Sequence, residues 1–212
     1  MADLLFDTIE REQLCDLLDE LGPQAPTRLA PWTTHDVAAQ LVLREHDYLA
    51  APGLVAHGVW ERFAERRRLA LKKTAFKGLV ATIRSGPPPG LFRIGWVRRV
   101  ANLNEFFVYH EDVRRANGYG PRIIPPAEEA ALFHNVGCVP WYPSRRLRGA
   151  GLELVWAGTG RMITARRGLP AIRVQGSPGE LLLFLFGRDA ADVEITGPPE
   201  AIDALKRTRF GM

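Results

Sequence analysis

Apolar residues recur every three or four positions along the first two thirds of the chain, which is the spacing of amphipathic helices. A first helix is predicted to end at Gly22, with its apolar face at Leu5, Ile9, Leu14, Leu17, Leu18 and Leu21. A second begins near Thr33 or Thr34, either of which suits an N-cap, with Asp36 in its first turn. Further helices are predicted over about 59–84, 97–116 and 126–137, and an irregular continuation past Pro140 stays open.

The pattern changes after Arg148, where short segments bounded by glycine and containing β-branched residues predict strands. The segments are GLELVWAG, GRMITARRG, PAIRVQG and DVEITG, the first two joined by a hairpin turn around Gly158 and Gly160. Ser177 and Glu180 fit a capping box, which predicts a helix after the third strand, and PPEAIDALKRT predicts a short final helix. The sequence therefore predicts an α+β protein with a helical bundle over about 1–148 and a small α+β module over about 150–212.

The composition is that of a soluble globular protein, with 46% hydrophobic and 25% charged residues in 212. No apolar run approaches the roughly 18–20 residues of a membrane helix, and no cationic leader precedes an apolar block at the N-terminus. Cys15 and Cys138 have neither metal-ligand spacing nor a disulfide framework, and Cys15 fits a small buried hydrophobe. We therefore expect a cytoplasmic protein with no membrane partner.

The net charge of +4 is unevenly distributed, because eleven Lys or Arg and only two acids lie between Glu61 and Arg99. A basic helix can bind nucleic acid or an anionic membrane, and a basic rim can attract an anionic small molecule. The basic run at 62–77 contains no recognition motif, and Phe63 and Phe76 suit a core as well as a stacking platform. A solvated helix face is the favoured interpretation, so nucleic acid is not an expected partner.

Polar residues beside apolar helix faces provide the candidate chemistry. In the second helix Gln40 and Arg44 lie close to the apolar face, and in the fourth helix Glu105 and Tyr109 flank it, one turn apart. A buried carboxylate costs several kcal/mol unless it is paired or coordinated, so Glu105 requires a partner if it is buried. A metal ion, Arg44, Arg98 or the Tyr109 hydroxyl would each serve.

Three blocks of sequence together resemble the DinB-like superfamily: WTTHDVAAQLVLRE (32–45), NLNEFFVYHEDVRRA (102–116), and the C-terminal segments SPGELLLFLFGR, VEITGPPEAI and FGM. Within this superfamily the blocks look like those of the mycothiol-dependent maleylpyruvate isomerase-like proteins, especially a short subgroup described as metal-binding. The resemblance covers nearly the whole chain. It implies a DinB-like four-helix bundle followed by a small sterol-carrier-like α+β domain.

The resemblance also implies a divalent metal, zinc or nickel, held by a His in an AAHL context and by Glu-x-x-x-His in the fourth helix. Here the context is AAQL, which places Gln40 at the first position, and the Glu is Glu105 with Tyr109 at the second His position. An amide oxygen and a neutral phenol are poor ligands for these metals. We therefore expect the metal site to be degenerate, with Glu105 a metal ligand only if an ion binds. His110 lies about 100° further round the helix, and a replacement site built from His46 or His110 with Glu105 is the less favoured alternative.

Three functions remain open at this stage. The favoured one is a metal-independent bundle pocket that binds or acts on a small molecule, as in secondary metabolism, with Glu105, Tyr109 and Gln40 as candidate catalytic residues. Its additional candidate ligand-binding residues are Arg44, His110, Phe106 and Trp32, and Phe107 and Trp96 would add to an apolar wall. The alternatives are a mycothiol- and divalent-metal-dependent S-transferase or isomerase, and a regulatory protein that uses the basic surface.

Overall fold

The structure is a computed structural model that describes residues 5–47, 59–138, 147 and 149–208, with the side chains of the third helix described from residue 62. It confirms the mixed α+β class and divides into two compact units, Met1–Pro121 and Arg122–Met212. Across the described part of the chain, no helix combines the length and the apolar character of a membrane span. Each unit has its own packed elements and is described by itself.

The first unit is helical. Its elements are α1 (Phe6–Leu21), α2 (Thr34–His46), α3 (Val59–Leu71), α4 (Phe76–Ser85), a 3-10 turn (Leu91–Arg93), α5 (Gly95–Val97), a π-helical turn (Arg98–Asn102) and α6 (Leu103–Ala116). The apolar stripes of α1, α2, α4 and α6 meet in one core, whose members include Leu14, Leu18, Leu41, Ile83 and Phe106. These stripes contain the positions that the helical periodicity selects, so the sequence accounts for this core directly.

The prediction of a single helix over about 59–84 is wrong, because the chain turns between α3 and α4. The turn is closed by the Thr74 amide, which donates to the Leu71 carbonyl at 2.9 Å. After the turn, α4 buries Leu79, Val80 and Ile83 and packs against α1 and α2, whereas α3 packs against α2. One straight helix could not bury the apolar faces of both α3 and α4 against these neighbours. The residues of the turn have side chains that a helix also tolerates. Periodicity alone therefore missed the break.

Contacts at the helix ends establish the directions of α1, α2 and α6. Asp7 at the start of α1 pairs with Arg98 just before α6, at 2.9 Å, and Glu20 near the end of α1 accepts a 3.1 Å hydrogen bond from Tyr119 just after α6. Helices α1 and α6 therefore run parallel. Helix α2 starts near the end of α1 and reaches Arg11 through Glu45 at 2.7 Å, so it runs antiparallel to both.

The second unit combines helices with a mixed sheet. Its elements are α7 (Pro126–Cys138), β1 (Gly151–Trp156), β2 (Met162–Arg166), β3 (Ala171–Gly176), α8 (Pro178–Leu185), β4 (Glu194–Thr196) and α9 (Pro199–Arg207). The strand order is β2-β1-β3-β4, with β1 parallel to β3 and the two outer pairs antiparallel. Gly158 and Gly160 take positive φ in the turn between β1 and β2, as the hairpin interpretation requires.

Two details of the second unit differ from the sequence-based expectation. The unit begins at residue 122 rather than near 150, because α7 packs against α8 and β2. Ser177 does precede α8 with Pro178 at the first helical position, but its side chain makes no capping hydrogen bond. Glu180 instead accepts a 2.7 Å bond from the Asp192 amide, since the loop before β4 passes within reach. The continuation predicted past Pro140 lies outside the described residues.

Replacing Asp36 by Asn should lower the free energy of unfolding by about 1–3 kcal/mol, since hydrogen bonds to charged groups carry that weight. Asp36 closes a capping box with Thr33, and its carboxylate is contacted by Arg68 and, at 2.8 Å, by Lys72. These contacts hold the pKa of the Asp36 carboxyl far below its usual range. The stability that it adds is therefore present above the unfolded-state pKa near 4 and is lost as the pH falls below that value.

Urea unfolding at neutral and acidic pH measures this effect, with Asp16→Asn as the matched control. The Asp16 side chain is 71% exposed beside Arg84, so its neutralisation should change the stability by less than about 0.5 kcal/mol. Equal effects of the two substitutions would contradict the role assigned to Asp36.

Candidate functional site

Arg44 of α2 and Glu105 of α6 form an ion pair across the bundle. The Arg44 Nε contacts the Glu105 Oε2 directly, and the Arg44 side chain is only 8% exposed while that of Glu105 is 21% exposed. The guanidinium therefore lies behind the carboxylate, on its buried side. Of the partners that the sequence left open for Glu105, the structure brings Arg44 to it and directs Arg98 to Asp7.

The guanidinium of Arg44 is held on its other sides by Asn102 and Phe92, which the sequence pattern did not predict as its partners. Asn102 accepts a 3.0 Å hydrogen bond from Arg44 Nη1 and donates a 3.0 Å bond to the Phe92 carbonyl. The Phe92 ring lies 4.5 Å from the guanidinium carbon, at cation–π distance. Asn102 ends the π-helical turn, a feature that often occurs at functional sites. These contacts fix the position of the positive charge behind Glu105.

Helix directions place Gln40 and Tyr109 on the same side of this pair. Gln40 lies one turn before Arg44, and Tyr109 one turn after Glu105. Because α2 and α6 are antiparallel, both steps lead the same way along the bundle axis, so Gln40 and Tyr109 lie towards the same end of the bundle from the ion pair. Gln40, Glu105 and Tyr109 are each partly exposed, and the Gln40 amide has no hydrogen-bond partner among the described residues. We call Gln40, Glu105 and Tyr109 the polar face.

The ionisation of Glu105 is set by opposing effects. Burial raises the pKa of the Glu105 carboxyl above its ordinary value, the Arg44 charge opposes that rise, and the nearby Glu45 carboxylate adds to it. A carboxyl with a raised pKa exchanges protons nearer to neutral pH, which is the property of a general acid or base.

Three of the residues proposed to contact a ligand lie elsewhere. Phe106 is fully buried, with the Arg11 guanidinium 4.2 Å from its ring centre, so it is a core residue. His110 is 3% exposed and its Nδ1 lies 2.9 Å from Glu10, so it faces α1 rather than the polar face. Trp32 lies under Arg68 just before α2, whose first residue is roughly 15 Å along the helix axis from Arg44. These three residues therefore do not form an aromatic wall around Glu105.

The sequence also predicts two other aromatic residues for that wall. Phe107 is buried and is therefore covered by its neighbours, whereas Trp96 is 61% exposed, and its place in a pocket wall stays a prediction. Periodicity placed Phe107 in the apolar stripe but could not show which neighbouring helix would cover it.

The side chains around Glu105 do not fit a divalent metal site. The expected imidazole positions hold an amide and a phenol, and the guanidinium of Arg44 presents a fixed positive charge to the carboxylate that would have to bind the ion. Within residues 5–47, 59–138, 147 and 149–208, no group of three or more His, Cys, Asp or Glu side chains could hold a metal. His110 lies against Glu10 of α1, and among the described residues neither His110 nor His46 belongs to such a group.

A second buried ion pair lies one residue further along α2. Arg11 donates two hydrogen bonds to Glu45, at 2.5 and 2.7 Å, and a third to the Ile83 carbonyl at 2.8 Å. The two side chains are 5% and 0% exposed. The sequence reading missed both residues, although a charged residue directly beside the apolar stripe of each helix was the available signal.

The basic run at 62–77 is partly used inside the first unit. Arg68 is 5% exposed, binds Asp36 and Glu65, and covers Trp32. Arg67 contacts Asp47 and lies over Phe63. At Arg68 the run is therefore internal rather than solvated, and the interpretation of the rest of the run as a solvated helix face stays a prediction.

Cys15 is fully buried, and desolvation raises its pKa to about 12. It is therefore a thiol at neutral pH rather than a nucleophile, as its position between leucines indicated.

No family model matches the chain, and neither the curated proteins nor the solved structures contain a significant match.

Proposed function

We propose that the first unit binds a small molecule at the polar face without a metal ion, as a metal-independent relative of the DinB-like bundles. The proposal includes a DinB-like bundle for the first unit and a sterol-carrier-like module for the second. The observation that carries it is the Arg44–Glu105 pair, since the buried guanidinium supplies positive charge on the side of the carboxylate where a bound cation would otherwise be needed.

The chemistry of the polar face defines what it would bind. The partly exposed Glu105 carboxylate accepts hydrogen bonds, and the Gln40 amide both donates and accepts them. A neutral polar molecule that presents a hydroxyl or N–H to Glu105 matches this set better than an anion, which the carboxylate would repel. The raised pKa of Glu105 also suits proton transfer to or from such a ligand.

Gln40→Met and Tyr109→Phe should each weaken small-molecule binding by about 3- to 10-fold, the effect of losing one neutral hydrogen bond. Ligand-observed NMR with a set of neutral polar fragments, followed by titration of the compounds that bind wild type, measures the change. Tyr119→Phe is the matched control, because its hydroxyl bonds Glu20 at the exposed end of the bundle. Fragments that bind wild type and both variants with equal affinity, or a complete absence of binding to wild type, would contradict the proposal.

A further inference from the structure

A separate cavity of about 520 Å³ lies within the second unit, between α7 and β2. It is lined by Phe133, His134, Gly137, Cys138, Arg161, Met162 and Ile163. Its volume falls in the roughly 300–1,000 Å³ range of small-molecule sites. No residue of the polar face contributes to it, so it is independent of the function proposed for the first unit.

One cation at this cavity is held in place by aromatic rings. The Arg161 guanidinium lies 5.0 Å from the Phe133 ring centre and 5.2 Å from that of Trp156, and the two rings are 5.1 Å apart. The hairpin fixes this arrangement, because the Trp156 amide donates to the Arg161 carbonyl at 2.9 Å. Among the described residues, Arg161 has no acidic partner. Its N–H donors are therefore left for an anion while its ring contacts limit the entropy lost on binding.

The rest of the cavity wall is largely apolar. Met162 is 49% exposed and Ile163 lies beside it on the same strand. Gly137 presents no side chain, and a Cβ there would make only an ordinary van der Waals contact with the Ile163 Cδ1, at 3.6 Å, where α7 approaches β2. Thioether sulfur makes favourable contacts with aromatic rings, and the neighbouring His134 ring is exposed. The wall thus suits an aromatic body.

We propose that this cavity is a binding site for a small aromatic carboxylate. The carboxylate accepts a bidentate pair of hydrogen bonds from the Arg161 guanidinium, and the ring packs against Met162 and Ile163. Charge complementarity selects the anion, and the apolar wall distinguishes an aromatic acid from a simple inorganic anion.

Cys138 provides a reporter inside the cavity. Its thiol is exposed, whereas the only other cysteine, Cys15, is buried with a pKa raised to about 12, so a thiol reagent modifies Cys138 selectively. Alkylation by neutral iodoacetamide, followed by intact-protein mass spectrometry, is the readout, and phenylacetate is the probe. At about 10 mM, roughly ten times a millimolar Kd, phenylacetate should slow the alkylation several-fold. Neutral phenylacetamide and non-aromatic acetate should protect much less.

Arg161→Met retains an apolar side chain against the two rings and removes the charge, so it should raise the half-protecting phenylacetate concentration at least 10-fold. Arg167→Met is the control, because Arg167 is exposed in the same unit and does not line the cavity, and it should leave protection unchanged. Equal protection by phenylacetate, phenylacetamide and acetate in wild type would overturn the proposal without any variant. Protection that persists in Arg161→Met, or no protection of wild type, would also overturn it.

Discussion

Glu45→Gln should lower the free energy of unfolding by about 3–5 kcal/mol, the range for removing one partner of a buried ion pair. The substitution preserves the shape of the side chain but leaves the Arg11 guanidinium, 5% exposed, with no opposite charge at its 2.5 and 2.7 Å contacts. The Ile83 carbonyl and the Phe106 ring remain beside Arg11, but neither neutralises it. Urea unfolding at neutral pH measures the loss.

The double variant Arg11→Met/Glu45→Leu tests whether the loss comes from the unpaired charge. Replacing both members of a buried pair by apolar residues of similar size is often neutral or stabilising, so this variant should recover most of the stability. Glu12→Gln is a surface control, since its side chain is 45% exposed beside Arg84 and should matter by less than about 0.5 kcal/mol. A loss below about 1 kcal/mol in Glu45→Gln would contradict the buried geometry.

Arg44→Met should destabilise the protein by about 2–4 kcal/mol at neutral pH and by much less near pH 5. The variant keeps an apolar stem beside Phe92 but leaves Glu105 without its cation and Asn102 without a donor. The pKa of Glu105 is already raised by burial, and it rises further once the Arg44 charge is gone. A carboxyl whose pKa is higher in the folded than in the unfolded protein adds to the free energy of unfolding at pH values below its unfolded-state pKa. This contribution is lost as the pH rises through its folded-state pKa.

The double variant Arg44→Met/Glu105→Gln separates the charge from the packing. With no carboxylate left to ionise, its stability relative to wild type should vary little between about pH 5 and pH 8, apart from the small change that wild-type Glu105 contributes. Chemical unfolding across this pH range is the measurement. A destabilisation of Arg44→Met that is independent of pH, or that grows as the pH falls, would show that Arg44 does not act on the Glu105 charge.

Local patterns predicted most of the elements because those elements follow local rules. The stripe of α1, the glycine-bounded strands and the Thr33–Asp36 cap of α2 each depend on residues within one or two turns. The break between α3 and α4 could not be predicted in this way, since it is required by burial against two other helices. The same reason explains the assignment of α7 to the second unit, because its partner α8 lies about 40 residues further along the chain.

The candidate site shows the same division between local and long-range information. Spacing placed Glu105 and Tyr109 one turn apart and Gln40 one turn from Arg44, and the structure agrees. Spacing could not select Arg44 over Arg98 as the partner of Glu105, because that choice depends on which side chains the tertiary fold brings to Glu105. It also could not show that Arg11 covers Phe106. Both contacts depend on tertiary packing, which brings together residues that are far apart in the sequence.

The most direct test of the central claim, that Arg44 supplies the positive charge beside Glu105, is the metal content of protein purified without chelator. Wild type should contain far less than one divalent ion per chain. Gln40→His/Tyr109→His should bind zinc weakly, since an ion must displace Arg44, and adding Arg44→Met should give about one ion per chain with a zinc-dependent rise in Tm. One tightly bound ion per wild-type chain, or equally tight zinc binding with and without Arg44, would contradict the account.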